Sequence, residues 1–218
     1  MSLLKDTEQP NLLDIANNFT GGAVLLHPQI NNTLSNLYIH HTDTVRHSGR
    51  VAQIALFVAQ EMGLSNEKVD LTVKAGFLHD IGKLEVPTTI LEKDGKPTDE
   101  EWELIKQHPS TAFRTLESIH PDVAAISGGH HMFQRSPYAY PGAERVAPWI
   151  NDARRAVAVS DQVDALMSKR GYKDPWSPEK TRAVLQGDGF FSPGLIDAAV
   201  SVRSRMNQVQ VFPPPLLH

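Results

Sequence analysis

The segment FLHDIGKLEVP, residues 77–87, sets His79 beside Asp80 in an otherwise apolar stretch, with Lys83 one turn further on. A buried carboxylate needs a cation or several donors, so Asp80 calls for a metal ion or for Lys83 as its ion partner. Other polar residues could join this pair. Asp43 and His47 are four apart and share one helix face. His108 precedes Pro109, and His130 and His131 are adjacent, so two imidazoles can reach one point from a helix terminus. Asp161 and Asp164 interrupt the apolar run AVAVSDQVDALM, where two carboxylates repel unless something positive sits between or beside them. Taken singly, each has an ordinary reading as a core histidine, a polar stripe or a cap. Together, five helical segments each offer one or two His or Asp side chains. That set of nitrogen and carboxylate oxygen donors suits a di- or trinuclear metal centre.

Composition narrows the metal and the partners. The 218 residues contain no cysteine, so disulfides, iron–sulfur clusters and thiolate zinc sites are excluded. A metal must be held by His, Asp or Glu, which favours Mn, Fe, Co, Ni or a non-structural Zn. Net charge is −4 and the pI about 6.2, so no basic surface advertises DNA or an anionic membrane. No apolar run approaches the roughly 20 residues of a membrane span, and no signal-peptide core opens the chain. The expected compartment is the cytoplasm.

The elements that must position these residues read as helices, giving an all-α fold without repeats. Apolar residues at 51, 54, 55, 58, 59 and 62 give residues 38–62 a helical period that ends at Gly63. Ser65 can cap a second helix running through His79. Thr98-Asp-Glu-Glu101 matches a capping box. Pro109 and Pro121 suit the first turns of two further helices. A proline- and aromatic-rich loop, 133–148, precedes a helix from about 150 to 168. Ser177-Pro178 and Ser192-Pro193 open the last two helices. The expected organisation is an arm or short helices over 1–37, one domain over 38–212 and a tail over 213–218.

In order along the chain, HSGRVA (47–52), HDIGK (79–83), KQHP (106–109), HH (130–131), SDQVDAL (160–166) and SKRGYK (168–173) resemble the HD-domain phosphohydrolases. The closer likeness is to the HD-GYP branch, which hydrolyses cyclic di-GMP. The resemblance covers roughly residues 38–205 and implies a helical bundle around two or three divalent transition metal ions, with Fe or Mn first and Ni, Co or Zn also suited. It implies His47, His79, Asp80, His108, His130, His131 and Asp161 as ligands, with Asp80 bridging two ions. Asp43 falls where some members carry a Glu that helps to hold a third ion. Asp80 and Lys83 would carry the chemistry. Lys83, Arg170, Lys173 and Tyr140 would contact the substrate, and Asp164 would position its helix or a ligand.

One motif departs from the family. Where the family reads HHExxDGxGYP, this chain reads HHMFQRSPYAYP. Met132 and Arg135 replace two acids, Tyr138 and Ala139 stand in the region of a glycine, and Tyr140-Pro141 survive. The expectation is therefore metal-dependent hydrolysis of a phosphodiester, a cyclic dinucleotide such as cyclic di-GMP or another nucleotide. The alternatives are a cyclic-dinucleotide sensor that keeps its metal site and a di-iron oxygenase of HD type. A homodimer and a separate regulatory protein are compatible with this reading.

Overall fold

Each ligand-bearing segment is short, and what holds it is an apolar stripe on the helix it ends or begins. The structure, a computed structural model, describes residues 27–169 and 174–208. Among these residues there are ten α-helices and two 3₁₀ turns, as the sequence predicts for an all-α chain. No described helix is long and apolar enough to cross a membrane.

Helix α1 (Pro28–His40) buries Ile30, Leu34 and Leu37, an i, i+4, i+7 stripe. The chain breaks at His41, which lies outside helical geometry and whose Nδ1 accepts from the Thr44 amide at 3.2 Å, capping α2 (Thr42–Glu61). The single helix read from sequence over 38–62 is thus corrected: the chain breaks at His41, and the helix before the break starts at Pro28 and packs Ile30, Leu34 and Leu37 into the core.

Helices α2, α3 (Asn66–Leu78) and α8 (Pro148–Met167) pack against one another and form the centre of the molecule. Small residues let them approach closely: a Cβ on Gly76 would lie 3.3 Å from the Ala52 Cα. The 3₁₀ turn Ile81–Glu85 and the short α4 (Thr88–Leu91) follow α3. Then come α5 (Asp99–Ile105), α6 (His108–Leu116), α7 (Pro121–Gly128) and the 3₁₀ turn His130–Met132. Thr98 and Glu101 form the expected capping box, and Pro109 and Pro121 occupy first turns. After α8, Ser177 caps α9 (Pro178–Asp188), and α10 (Pro193–Gln208) packs on α2 and α8.

Gly82, inside HDIGK, is required by contact. A Cβ there would sit 2.1 Å from the His108 carbonyl oxygen and 2.9 Å from its carbon, both backbone atoms that cannot swing aside. The glycine lets the 3₁₀ turn carrying Lys83 press against the start of α6. Gly82→Ala is therefore expected to cost about 1–3 kcal/mol, the usual range for overpacking, and to displace His108. Thermal denaturation checks the first effect and metal content per chain the second. A melting temperature equal to wild type would contradict it.

Candidate metal centre

Three histidines are aimed by one device. His79 at the end of α3, His108 at the start of α6 and His130 after α7 each donate Nδ1–H to the carbonyl three residues back. The acceptors are Gly76 at 2.8 Å, Ile105 at 2.7 Å and Ser127 at 2.5 Å. A proton committed to Nδ1 leaves the Nε2 lone pair free, which is how metal-binding imidazoles are oriented. All three Nε2 atoms point into one buried space. The Nε2 of His79 has no hydrogen-bond partner, and those of His108 and His130 face each other at 3.3 Å. Two lone pairs at that separation repel unless a cation lies between or beside them.

His47 is held by a different route. Its Nδ1–H donates to Asp164 Oδ2 at 2.7 Å, and its Nε2 lies 3.0 Å from Asp161 Oδ1. Asp80 is 1% exposed and uses its two oxygens on two sides. Oδ2 lies 3.3 Å from His79 Nε2, 3.8 Å from His47 Nε2 and 2.7 Å from Lys83 Nζ, whereas Oδ1 lies 3.3 Å from His108 Nε2. Three groups of ligand atoms each fall within 4.8 Å of one another: His47, His79 and Asp80; His79, His130 and Asp161; His108, His130 and His131. Shared residues link the groups into one centre. The orphaned His79 nitrogen, the opposed His108 and His130 nitrogens and the interleaved carboxylates form a donor set that fits divalent metal ions.

The electrostatics favour the same state. Burial lowers the pKa of His108 to about 3 and that of His131 to about 4, and it also lowers His130, whose neighbours include His131. These rings are therefore neutral and ready to ligate. Burial would raise Asp80 and Asp161, but adjacent histidines, with Lys83 in the case of Asp80, outweigh it and hold both carboxyls well below the usual range. For His47 burial opposes the charge, yet its hydrogen bonds to Asp161 and Asp164 prevail and raise its pKa.

A pH effect follows for the metal-free protein. For His108, His130 and His131 the folded pKa lies below the unfolded value near 6.5, so on acidification the unfolded chain takes up protons that the folded chain refuses. Each such group removes up to about 1.4 kcal/mol per pH unit below about pH 6.5, until its own folded pKa is reached. His47 acts with the opposite sign but is one group against three. Metal-free protein should lose stability between about pH 7 and pH 5, as read by urea denaturation. Constant or rising stability over that range would contradict the neutral state of these rings.

Four expected site residues require comment. Asp43 is not in any ligand group. Its side chain is 79% exposed and pairs with Arg46 at 3.4 Å in the first turn of α2, so sharing a face with His47 does not bring it to the centre. Tyr140 is a core residue, a second correction. Its ring stacks on Phe113 at 3.8 Å, and its hydroxyl accepts from Arg154 Nη2 at 3.0 Å. Arg170 and Lys173 lie outside the described residues. Arg135, in the altered loop, binds Asp188 at 2.7 Å and 3.0 Å and so ties that loop to α9.

The structure gives a place to Tyr138 of the altered motif and adds Arg50, Arg203 and Arg154, which the sequence did not single out. Tyr138 stacks on His131 at 4.4 Å, where burial pushes its phenol pKa up and keeps it neutral. Arg50 and Arg203 grip Asp164, with Arg50 Nε at 2.8 Å and Nη2 at 2.9 Å and Arg203 Nε at 2.5 Å. Arg50 sits one turn past His47, so the shared helix face was a signal for it. Arg154 is fully buried and ties α7 to the loop that follows the altered motif, through the carbonyls of Ala125 in α7 (2.9 Å) and Ala143 in the loop (2.6 Å). The centre opens into a cleft of about 1760 Å³ whose walls include Lys83, Tyr138, Trp102 and Lys169.

Residues 44–166 match the family described as HD domain. The cyclic di-GMP phosphodiesterase response regulator RpfG of Xanthomonas campestris is 33% identical over 73% of this chain and 43% of its own length. A cyclic di-GMP phosphodiesterase of Thermotoga maritima is 34% identical over 77% of this chain and 46% of its own. The 3'3'-cGAMP-specific phosphodiesterase 2 of Vibrio cholerae is 32% identical over 71% and 30%. The chain thus spans less than half the length of each of these relatives. In fold it is similar to the HD domain of the L. monocytogenes phosphodiesterase PgpH, solved in complex with cyclic-di-AMP. That similarity has a TM-score of 0.57 at 20% identity and covers 86% of this chain and all of that one. The family match takes in more than half of the chain, with His47, His79, Asp80, His108, His130, His131 and Asp161 all inside it, so the chain belongs to the HD-domain family, on the HD-GYP-like branch that its motifs indicate.

Proposed function

We propose that this chain is a metal-dependent phosphodiesterase acting on a cyclic dinucleotide, with cyclic di-GMP the first candidate. The observation that carries the reading is the position of Asp80, which reaches His47 and His79 through one oxygen and His108 through the other. A carboxylate so placed can bridge two ions. The ligands are His47, His79, Asp80, His108, His130, His131 and Asp161, and the donor types favour Fe or Mn, with Ni, Co or Zn also suited. Bound divalent ions supply Lewis acidity toward the phosphoryl oxygens and an acidified water as nucleophile.

The side chains supply the rest. Lys83, at the cleft wall, neutralises charge that builds on the phosphoryl group. His47 is kept in one tautomer by Asp164. Arg170 and Lys173 are assigned to holding the substrate nucleotide, with the prediction that alanine at either raises KM and leaves metal content unchanged. A cleft of about 1760 Å³ exceeds the usual ~300–1,000 Å³ of small-ligand pockets and suits a dinucleotide. The names of the three relatives point to the same substrate class.

The test is to load purified protein with Mn or Fe and assay bis(p-nitrophenyl) phosphate beside a cyclic-dinucleotide panel. The small diester should turn over. Cyclic di-GMP should be cleaved more slowly or only to its linear form, because Tyr138 fills a region where the family has glycine. Tight cyclic-dinucleotide binding with no turnover of either compound, under any divalent metal, would establish a sensor instead.

A further inference from the structure

Helix α5 contributes nothing to the core and is nevertheless pinned. None of its seven side chains is buried. The Thr98 amide donates to Glu101 Oε2 at 2.7 Å, the Glu101 amide donates to Thr98 Oγ1 at 3.3 Å, and Lys93 Nζ binds the same Glu101 carboxylate at 2.7 Å. A short helix held this way serves the surface it presents. On that surface Trp102 is 43% exposed and forms part of the cleft wall. Its ring meets Tyr138 edge-on at 6.2 Å and 81°, Tyr138 stacks on His131 at 4.4 Å, and His131 lies 3.9 Å from His130. A continuous aromatic path therefore leads from the metal ligands to the indole at the rim.

An indole left half in water has a large apolar face without a partner. In a cleft that also carries Lys83 and the centre proposed to hold divalent cations, the complementary ligand is a flat aromatic group attached to an anion. A nucleotide is that combination. We propose that Trp102, braced by Tyr138, is a stacking platform for one nucleobase of the substrate. This rests on the proposed function for the identity of the ligand and adds the residue that reads it. Every base has a π face, so a platform without directional hydrogen bonds favours nucleotides over simple diesters. It does not separate guanine from adenine.

The test uses the full chain, metal-loaded, as wild type, Trp102→Ala and Trp102→Phe, with cyclic di-GMP and cyclic di-AMP. Loss of one stacked base corresponds to about 5- to 150-fold weaker binding, and a rim position places the effect near tenfold. Trp102→Ala should therefore raise KM about tenfold for both compounds alike, with the loss falling on KM rather than kcat and with metal content and oligomeric state unchanged. Trp102→Phe should recover most of it. Cyclic di-GMP should quench tryptophan fluorescence in wild type but not in Trp102→Phe, where Trp149 and Trp176 remain.

An unchanged KM in Trp102→Ala, equal quenching in both proteins, or a shift in oligomeric state would overturn the platform. Turnover without quenching that depends on Trp102 removes the platform and leaves the hydrolytic reading standing. Quenching without turnover of any diester removes the hydrolytic reading and leaves the platform. No binding of either cyclic dinucleotide by metal-loaded protein overturns the platform.

Discussion

Asp80→Ala is expected to lower phosphodiester turnover by more than about 10³-fold, or about 4 kcal/mol of barrier, and to lower the metal held per chain. The size follows from how many groups Asp80 serves. It is nearly inaccessible to water and is the carboxylate that approaches His47, His79 and His108 together. It also anchors Lys83 at 2.7 Å, so its loss frees the cation assigned to the phosphoryl group. Asp80→Asn tests charge apart from shape, since the amide fills the same space without the anion. It should fold as wild type does and still lose most turnover and metal. Elemental analysis, steady-state kinetics and circular dichroism on the same preparations give the three readouts. Turnover within tenfold of wild type in Asp80→Asn would show that this carboxylate is not the centre of the chemistry.

The helices and most of the candidate ligands could be read from sequence because the signals are local. A capping box spans four residues, a Ser-Pro pair spans two, and the structure has Thr98 and Ser177 in those roles. His79, His108 and His130 stand at helix ends, where a turn brings Nδ1 back to the carbonyl at i−3. Asp43 shows the limit of such reasoning. Helical spacing says that residues 43 and 47 share a face, but a full turn is about 5.4 Å long, and the direction of the axis decides whether it leads toward the centre or away. Tyr140 and Tyr138 show a second limit. The loop that carries them has no period, so nothing local tells which ring enters the core and which faces the cleft. The surviving motif residue Tyr140 is the buried one, clamped by Arg154. Helix α1 was obscured because Asn31, Asn32 and Asn36 flank its apolar stripe and Ile39 is exposed. The arginines on Asp164 come from positions 114 and 39 residues away in sequence, a separation that no motif spans.

That arginine pair sets the second large effect. Asp164 is fully buried and accepts from His47 Nδ1 at 2.7 Å, from Arg50 Nε and Nη2 at 2.8 and 2.9 Å, from Arg203 Nε at 2.5 Å and from Ser168 Oγ at 3.2 Å. One anion on α8 thus organises an imidazole and a guanidinium from α2 and a second guanidinium from α10. Burial alone would raise its pKa, but His47 and Arg50 hold it well below the usual carboxylate range, so it is ionised at neutral pH. Asp164→Ala removes the anion and leaves its buried donors unmatched, a change that costs about 3–5 kcal/mol. Much of a typical domain's ~5–15 kcal/mol would be gone. The second consequence is at the metal. Without its carboxylate, His47 is no longer fixed in the Nδ1–H tautomer, and loss of such a supporting group weakens metal affinity about 10- to 100-fold. Asp164→Asn separates the two. Its amide oxygen can still accept from His47, so metal affinity should recover more than stability, which depends on the missing charge facing Arg50 and Arg203. Urea denaturation of the metal-free proteins and chelator competition on the loaded ones measure the two quantities independently. A loss under about 1 kcal/mol in Asp164→Ala, with metal affinity unchanged, would show that the arginines find other acceptors and that His47 keeps its orientation without this carboxylate.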